Sequence, residues 1–65
     1  MKARLTEVFD DRGNLVKIEA TDVDTGAHVF DALWDPSEEQ TEQNRVTFRR
    51  WVTMMLKRKN YEPIN

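Results

Sequence analysis

The sequence contains no cysteine, and among its 65 residues it has only one histidine and one serine. Without cysteine the chain can form neither disulfides nor thiolate metal sites, so its apolar core must stabilise the fold unaided. His28 has no second histidine to join it in a zinc site. Ser37 has no base beside it in the sequence, and a place at a helix N-terminus accounts for it. We therefore expect no cofactor and no bound metal.

Long apolar runs are also absent. No stretch approaches the roughly 18 apolar residues of a membrane-spanning helix, and residues 1–3 lead into alternating side chains instead of an apolar signal segment. We expect a cytoplasmic protein that does not bind membranes. The whole chain, 1–65, is expected to form one domain, near the lower size limit for a single core, because chains of this size bury only about 60% of their unfolded surface.

Glycine and proline are scarce, with two of each, and they divide the chain into elements. Gly13 and Gly26 each follow aspartates in a predicted turn, where glycine adopts positive φ at little cost. Alternating side chains around these turns predict strands at about 3–10, 15–22 and 27–34. The pattern does not determine which face of the first strand is buried, since its alternation is imperfect. The residues predicted to face the core from the other two strands are Val16, Ile18, Ala20, Phe30, Ala32 and Trp34.

A long helix is predicted at about 36–59. Asp35 is a good N-cap, Pro36 suits the first helical position, and Glu38 completes a capping box. The residues on the predicted buried face are Asn44, Phe48, Trp51, Val52, Met55 and Leu56. Pro63 prevents continuation, and the tail at 61–65 is expected to be loose. The predicted fold class is α+β, with a three-stranded antiparallel β-meander packed against one long C-terminal α-helix, β-β-β-α.

Two acidic motifs are candidate sites for chemistry. Residues 23–27, VDTGA, resemble the active-site signature of retroviral-type aspartic proteases, which implies paired carboxylates contributed by two copies. The chain is far shorter than those proteases and lacks their glycine-rich flap, and Asp-Thr-Gly is also an ordinary hairpin turn. Asp22, Asp24 and Asp31 do not fit a calcium loop, because Leu33 falls where the loop needs glutamate. We predict no catalytic residue and no enzyme activity.

The net charge of −2 conceals a strong asymmetry. Residues 1–44 carry eleven acidic and four basic side chains, whereas residues 45–65 carry six basic and one acidic side chain. One explanation is that the helix cations complement the helix dipole while the acids lie in solvated turns. The other is an acidic surface that faces a basic partner. The acids in question are Glu7, Asp10, Asp11, Glu19, Asp22, Asp24 and Asp31.

One shoulder of the predicted helix carries Thr47, Trp51, Met54 and Arg58, beside the core face. Tryptophan, methionine and arginine are enriched at protein interfaces. The alternative is that Trp51 covers the edge of the core and Met54 is a tolerated surface residue. We predict a non-enzymatic protein–protein interaction module, which would suit an acidic inhibitor or adaptor of the kind phages encode. Its partner would be another protein or a second copy. The predicted binding residues are this helix shoulder together with Glu19, Asp22, Asp24 and Asp31.

The competing prediction is nucleic-acid binding by the basic half of the helix. The candidate residues are Arg45, Arg49, Arg50, Lys57, Arg58 and Lys59. They spread around most of the helix circumference instead of forming a stripe, and the sequence pI near 5.3 is low for a phosphate-binding domain. This function therefore ranks second.

Overall fold

A computed structural model describes residues 1–64 as a four-stranded sheet with one helix against one of its faces. The elements are β1 (Lys2–Phe9), β2 (Leu15–Asp22), β3 (His28–Leu33), α1 (Glu42–Arg58) and β4 (Glu62–Pro63). The sheet order is β3-β2-β1-β4, with the first three strands antiparallel and β4 parallel to β1. The predicted α+β class, a meander followed by a C-terminal helix, is confirmed, and a short fourth strand is added.

The C-terminal tail forms β4, so the expectation that it is loose is wrong for its described part. The Glu62 N–H donates to the Met1 carbonyl at 2.8 Å, and the Ile64 N–H donates to the Ala3 carbonyl at 3.1 Å. The Tyr61 hydroxyl donates to Asp22 Oδ2 at 2.7 Å. These bonds fasten the chain beyond α1 to the free side of β1. Asn65, which also belongs to the expected loose tail, lies outside the described residues.

The sheet face under α1 carries small and aliphatic side chains. Leu5 pairs with Ala20, and Ile18 pairs with Ala32, so these four side chains share that face. Val52 of α1 is fully buried and belongs to the same core cluster as Ile18 and Ala32. The buried hydrophobic residues are Ala3, Leu15, Ile18, Ala20, Ala32, Trp34, Val52 and Leu56.

Val16 is 42% exposed, so its predicted inward position is wrong, and Leu15 takes its place in the core. The cause is a register shift in which Val8 pairs with Lys17 but Phe9 pairs with Leu15. Val16 is the extra residue of this bulge, and a bulge changes which face the following side chains occupy. The sequence pattern treats the strand as regular and therefore assigns Val16 to the wrong face.

A second register shift in β3 affects residues near its start. Ala20 pairs with Phe30 but Thr21 pairs with His28, which leaves Val29 as the extra residue. Val29 and Phe30 therefore both pack against the core, while His28 is exposed. The predicted inward positions of Phe30, Ala32 and Trp34 are confirmed.

Helix α1 begins at Glu42, with Thr41 as its N-cap, so the predicted start after Asp35 is wrong. Side chains bind the carbonyls that a longer helix would use. The Trp34 indole donates to the carbonyl of residue 38, Asn44 Nδ2 to that of residue 39, and Arg45 Nη2 to that of residue 40. Asp35 instead caps one tight turn.

The segment before α1 is fixed to the sheet by Gln40. Its side-chain amide donates to the Leu15 carbonyl at 2.9 Å and accepts from the Leu15 N–H at 3.1 Å. At the other end, Asn60 adopts a φ of 64°, and the Tyr61 N–H donates to the Leu56 carbonyl. A left-handed residue directly after the cap is a common way for a helix to end. The 17 residues of α1 span about 26 Å at 1.5 Å per residue, which matches the length of the sheet.

Candidate functional site

A groove of about 380 Å³ lies between the end of β3 and the first half of α1. Trp34 and Phe48 form its floor, with ring centroids 5.1 Å apart in an edge-to-face arrangement. Trp51 stacks on Phe48 with centroids 6.1 Å apart and an interplanar angle of 25°. We name this feature the aromatic groove. The residues that line it are Leu33, Trp34, Asp35, Glu38, Asn44, Thr47, Phe48 and Trp51.

The floor of the aromatic groove is fixed, whereas its apolar walls are open to solvent. Trp34 is buried, its main-chain N–H donates to Val16, and its indole N–H donates to the carbonyl of residue 38 at 3.1 Å. By contrast, Leu33 is 70% exposed and Trp51 is 44% exposed. The groove therefore has an immobilised aromatic floor and two exposed apolar residues at its border.

One end of the aromatic groove is acidic, because Asp35 and Glu38 line it and both are exposed. Asp35 Oδ1 accepts hydrogen bonds from the Ser37 N–H at 2.9 Å and the Ser37 hydroxyl at 2.8 Å. These two bonds, that of the backbone first, hold the pKa of Asp35 below its usual value. The carboxylate is consequently ionised at neutral pH, and its described partners carry no positive charge.

The residues of the predicted helix shoulder lie on different surfaces of the structure. Thr47 and Trp51 line the aromatic groove, whereas Met54 lines a separate depression on another side of α1. Arg58 is exposed in the last helical turn. We name the surface around Met54 the outer helix face. It encloses a shallow depression of about 520 Å³, lined by Val46, Arg49, Arg50, Thr53, Met54 and Lys57.

The acids proposed as a binding footprint do not form one surface. Asp22 is only 7% exposed, because it lies on the helix side of the sheet and accepts from Tyr61 and from the N–H groups of Asp24 and Thr25. The hydrogen bond from Tyr61 is the main cause that lowers the pKa of Asp22. Asp24 is exposed in the turn. Asp22 is thus a structural residue that stabilises a turn and a strand.

Glu19 and Asp31 do come together, on the open sheet face, which is the face turned away from α1. Lys17 Nζ lies 3.0 Å from Glu19 Oε1 and 3.8 Å from Asp31 Oδ2. His28 Nε2 lies 2.9 Å from Asp31 Oδ1, and this contact is the main cause that lowers the pKa of Asp31. Lys17 offsets much of the negative charge here, so the open sheet face is mixed in charge.

The basic residues proposed for nucleic-acid binding are likewise divided. Arg49 Nη2 lies 2.9 Å from Glu7 Oε2, which joins the helix to β1 and places Glu7 on the helix side of the sheet. Arg45 is half-buried and donates to the carbonyl of Gln40. Arg50 and Lys57 remain exposed on the outer helix face. The other two candidates, Arg58 and Lys59, lie at the end of α1.

The Asp-Thr-Gly segment forms the turn between β2 and β3. Gly26 has a φ of 75° and donates its N–H to the Asp22 carbonyl at 2.9 Å, while the Ala27 N–H donates to Thr25 Oγ1. Within residues 1–64, no three histidine, aspartate or glutamate side chains lie close enough to hold a metal ion. In that same part of the chain, no helix has the length and apolar character to cross a membrane.

Sequence reasoning missed the exposed wall formed by Leu33 and the acidic end formed by Asp35 and Glu38. The alternation of β3 places Leu33 opposite to Ala32 and Trp34, and this signal was available in the sequence. The sequence pattern assigns Asp35 to a helix cap and carries no signal of a binding role for it. No protein-family model, curated protein or solved structure matches this chain.

Proposed function

We propose that this protein is a non-enzymatic interaction module that binds another protein through the aromatic groove, with Trp51 as its principal contact. One observation carries the proposal: Trp51 stacks on Phe48 yet remains 44% exposed, in a groove that is also lined by Leu33, which is 70% exposed. Isolated exposed hydrophobic residues are common, but two that share one groove with an aromatic floor mark an interaction surface.

The energetics of the groove support this proposal. Tryptophan at the centre of an interface often contributes about 2 kcal/mol or more to binding. Trp34 and Phe48 are already held by the core, so a partner would not have to order them on binding. The groove therefore offers apolar contact area at a low cost in conformational entropy.

A module that works by contact alone would act by occupying a surface of its partner, as an inhibitor or an adaptor. The small size and the acidic sequence pI of about 5.3 would suit an inhibitor of the phage-encoded type, acting in the cytoplasm. The acidic end of the groove, at Asp35 and Glu38, favours a partner with a basic region.

Nucleic-acid binding is the second candidate function. The observation in its favour is that Arg50 and Lys57 lie exposed together on the outer helix face. Arg45 and Arg49, which belong to the same predicted set, are engaged by partners within the chain. Binding by the four other cations of that set, Arg50, Lys57, Arg58 and Lys59, would weaken steeply with salt.

The test is affinity capture from a nuclease-treated extract of source or host cells, with two matched variants. Trp51→Ala removes a wall of the aromatic groove, and Met54→Ala removes a side chain of similar exposure from the outer helix face, 47% against 44%. We expect one protein to be retained by the wild type and by Met54→Ala but lost with Trp51→Ala. Circular dichroism should show that both variants stay folded.

Three results would contradict the proposal. Loss of the captured protein with Met54→Ala but not with Trp51→Ala would move the site to the outer helix face. Retention of nucleic acid alone, from extract without nuclease and abolished by Arg50→Gln with Lys57→Gln, would establish the second candidate. Concentration-dependent dimerisation that Trp51→Ala abolishes, with no protein captured, would assign the groove to a second copy.

A further inference from the structure

Strand β3 is one edge of the sheet, and its free side leads to the aromatic groove. Among the described residues, β2 is its only hydrogen-bonded neighbour strand. The Trp34 N–H donates to the Val16 carbonyl of β2 at 2.9 Å. Main-chain groups of alternate residues in a strand point to opposite sides, so Asp31 and Leu33 direct their N–H and C=O groups away from β2. An incoming strand would find two donors and two acceptors there.

The side chains along this edge define what such a strand would meet. Asp31 and Leu33 lie on the open sheet face, whereas Trp34 lies on the helix side as part of the groove floor. Because side chains of an added strand also alternate, every second one would point towards the helix. At the end of β3, that position opens into the aromatic groove beside Phe48 and Trp51.

The charge at this edge selects the partner. Asp35 and Glu38 form the acidic end of the groove, and both are exposed. On the strand itself, Asp31 is already paired with Lys17 and His28. Strand β3 contains no lysine or arginine, and Lys17 of the neighbouring strand is already engaged by Glu19 and Asp31. The same edge of a second copy would therefore bring no unpaired cation to Asp35 and Glu38. A segment that carries lysine or arginine from a different protein complements the edge, and a second copy does not.

We propose that the β3 edge and the aromatic groove together bind an extended basic segment of a partner protein. The segment adds to the sheet as a strand beside β3 and inserts an apolar or aromatic side chain into the aromatic groove, against Trp34 and Trp51. Its lysine or arginine side chains lie against Asp35 and Glu38. This inference rests on the proposed function and specifies the chemistry of the partner. Strand addition of this kind combines main-chain hydrogen bonds for affinity with a side-chain site for specificity.

The experiment begins with selection from a random display library of segments of about ten residues, a length that covers the whole β3 edge. We expect the selected peptides to alternate polar and apolar residues, to contain a large apolar side chain and to be basic. A selected peptide is then titrated against the wild type by calorimetry. Amide hydrogen exchange of Asp31 and Leu33 is measured with and without it. Protection of both amides only in the complex is the expected result.

Three peptide controls test the separate parts of the proposal. Methylation of the two main-chain nitrogens that face β3 should weaken binding at least about tenfold, as should replacement of the inserted apolar residue by alanine. Replacement of the basic residues by glutamate should do the same. On the protein side, Asp35→Asn with Glu38→Gln should reduce the preference for basic over acidic peptides.

The outcomes separate this inference from the proposed function. Failure to select any peptide would overturn strand addition, and so would binding that methylation leaves unchanged with Asp31 and Leu33 unprotected. Either result leaves the proposed function standing if the captured protein still depends on Trp51. Loss of that dependence would overturn both. Self-association of the free protein that protects the same two amides would assign the edge to a second copy and contradict the proposal.

Discussion

Val52→Ala and Val46→Ala make the same chemical change at two positions of α1, and they should differ strongly in their effect on stability. Val52 is fully buried and packs in the cluster that contains Ile18 and Trp34, whereas Val46 is 36% exposed on the outer helix face. Both substitutions raise helix propensity by about 0.5 kcal/mol, since alanine favours the helix more than valine. Any difference between the two variants therefore reports the packing.

The magnitude follows from the atoms removed at Val52. Two methyl groups taken from a buried site cost about 1.6 kcal/mol in transfer free energy. The cavity left behind adds about 1 kcal/mol, because the alanine-rich sheet beneath offers little that can fill it. After the gain in helix propensity, Val52→Ala should lower the free energy of unfolding by about 2 kcal/mol. Val46→Ala should stay within about 0.5 kcal/mol of the wild type.

Urea denaturation followed by tryptophan fluorescence measures both variants on one scale. For a domain of this size, a loss of about 2 kcal/mol corresponds to a fall in Tm of about 10 °C, so the comparison can be repeated by calorimetry. Equal effects, or a larger effect for Val46→Ala, would show that α1 packs on the sheet by a different face. The position of the aromatic groove, which depends on the face of α1 that packs on the sheet, would then also be wrong.

Three further predictions concern the segments that join the elements. Thr41 is the N-cap of α1, so Thr41→Ala should lower the free energy of unfolding by about 1 kcal/mol. Asp35→Ala should leave the length of the helix, measured by hydrogen exchange, unchanged. Loss of hydrogen-exchange protection at the start of the helix in Asp35→Ala would instead indicate that Asp35 is the cap of a longer helix. Gln40→Glu should be destabilising in urea, since it replaces a donor to a main-chain carbonyl by a carboxylate; an unchanged midpoint would mean that this bond does not form. Hydrogen bonds, chiefly that from Tyr61, hold the pKa of Asp22 in the folded protein below its ordinary value. These bonds therefore stabilise the fold fully at a pH above the ordinary pKa of aspartate. Their contribution is lost as the pH falls through the lower pKa of the folded state. Tyr61→Phe should therefore raise the pKa of Asp22 measured by NMR and reduce the loss of stability in acid, and an unchanged pKa would refute the contact.

The sequence predicts the three long strands and their order well, because two aspartate-glycine turns separate them and turn chemistry is local. Asp10 Oδ1 accepts from the N–H groups of Arg12 and Asn14, and Gly13 has a φ of 81°. The positions of Val16 and Val29 could not be predicted, since each is the extra residue of a bulge. A bulge depends on the partner strand, whose register is not a local property.

The start of α1 escaped prediction for a related reason. Residues 35–38 satisfy the local rules for a helix N-terminus, and Asp35 Oδ1 does accept from the Ser37 N–H. The indole of Trp34 and the side chain of Gln40 then fix the following segment against the sheet in a non-helical path. The Gln40 contact joins residues that are 25 positions apart in the sequence, and a tertiary contact of this kind overrides the local signal.

The candidate site was predicted in part. Trp51 and Thr47 were identified from the helix pattern, and both line the aromatic groove. The same pattern assigns Met54 to this shoulder, but Met54 lines the separate depression on the outer helix face. The helical pattern places residues around an axis and does not show which neighbouring strand borders each side. The contribution of Leu33 therefore required the structure.

The central claim is that the aromatic groove is the surface that binds a partner protein, and the dissociation constant of the captured partner tests it most directly. It should be measured by calorimetry for the wild type, Trp51→Ala and Met54→Ala. We predict at least about tenfold weaker binding for Trp51→Ala, because a central tryptophan contributes strongly, and a change of no more than about twofold for Met54→Ala. Equal weakening in both variants, or weakening confined to Met54→Ala, would contradict the account.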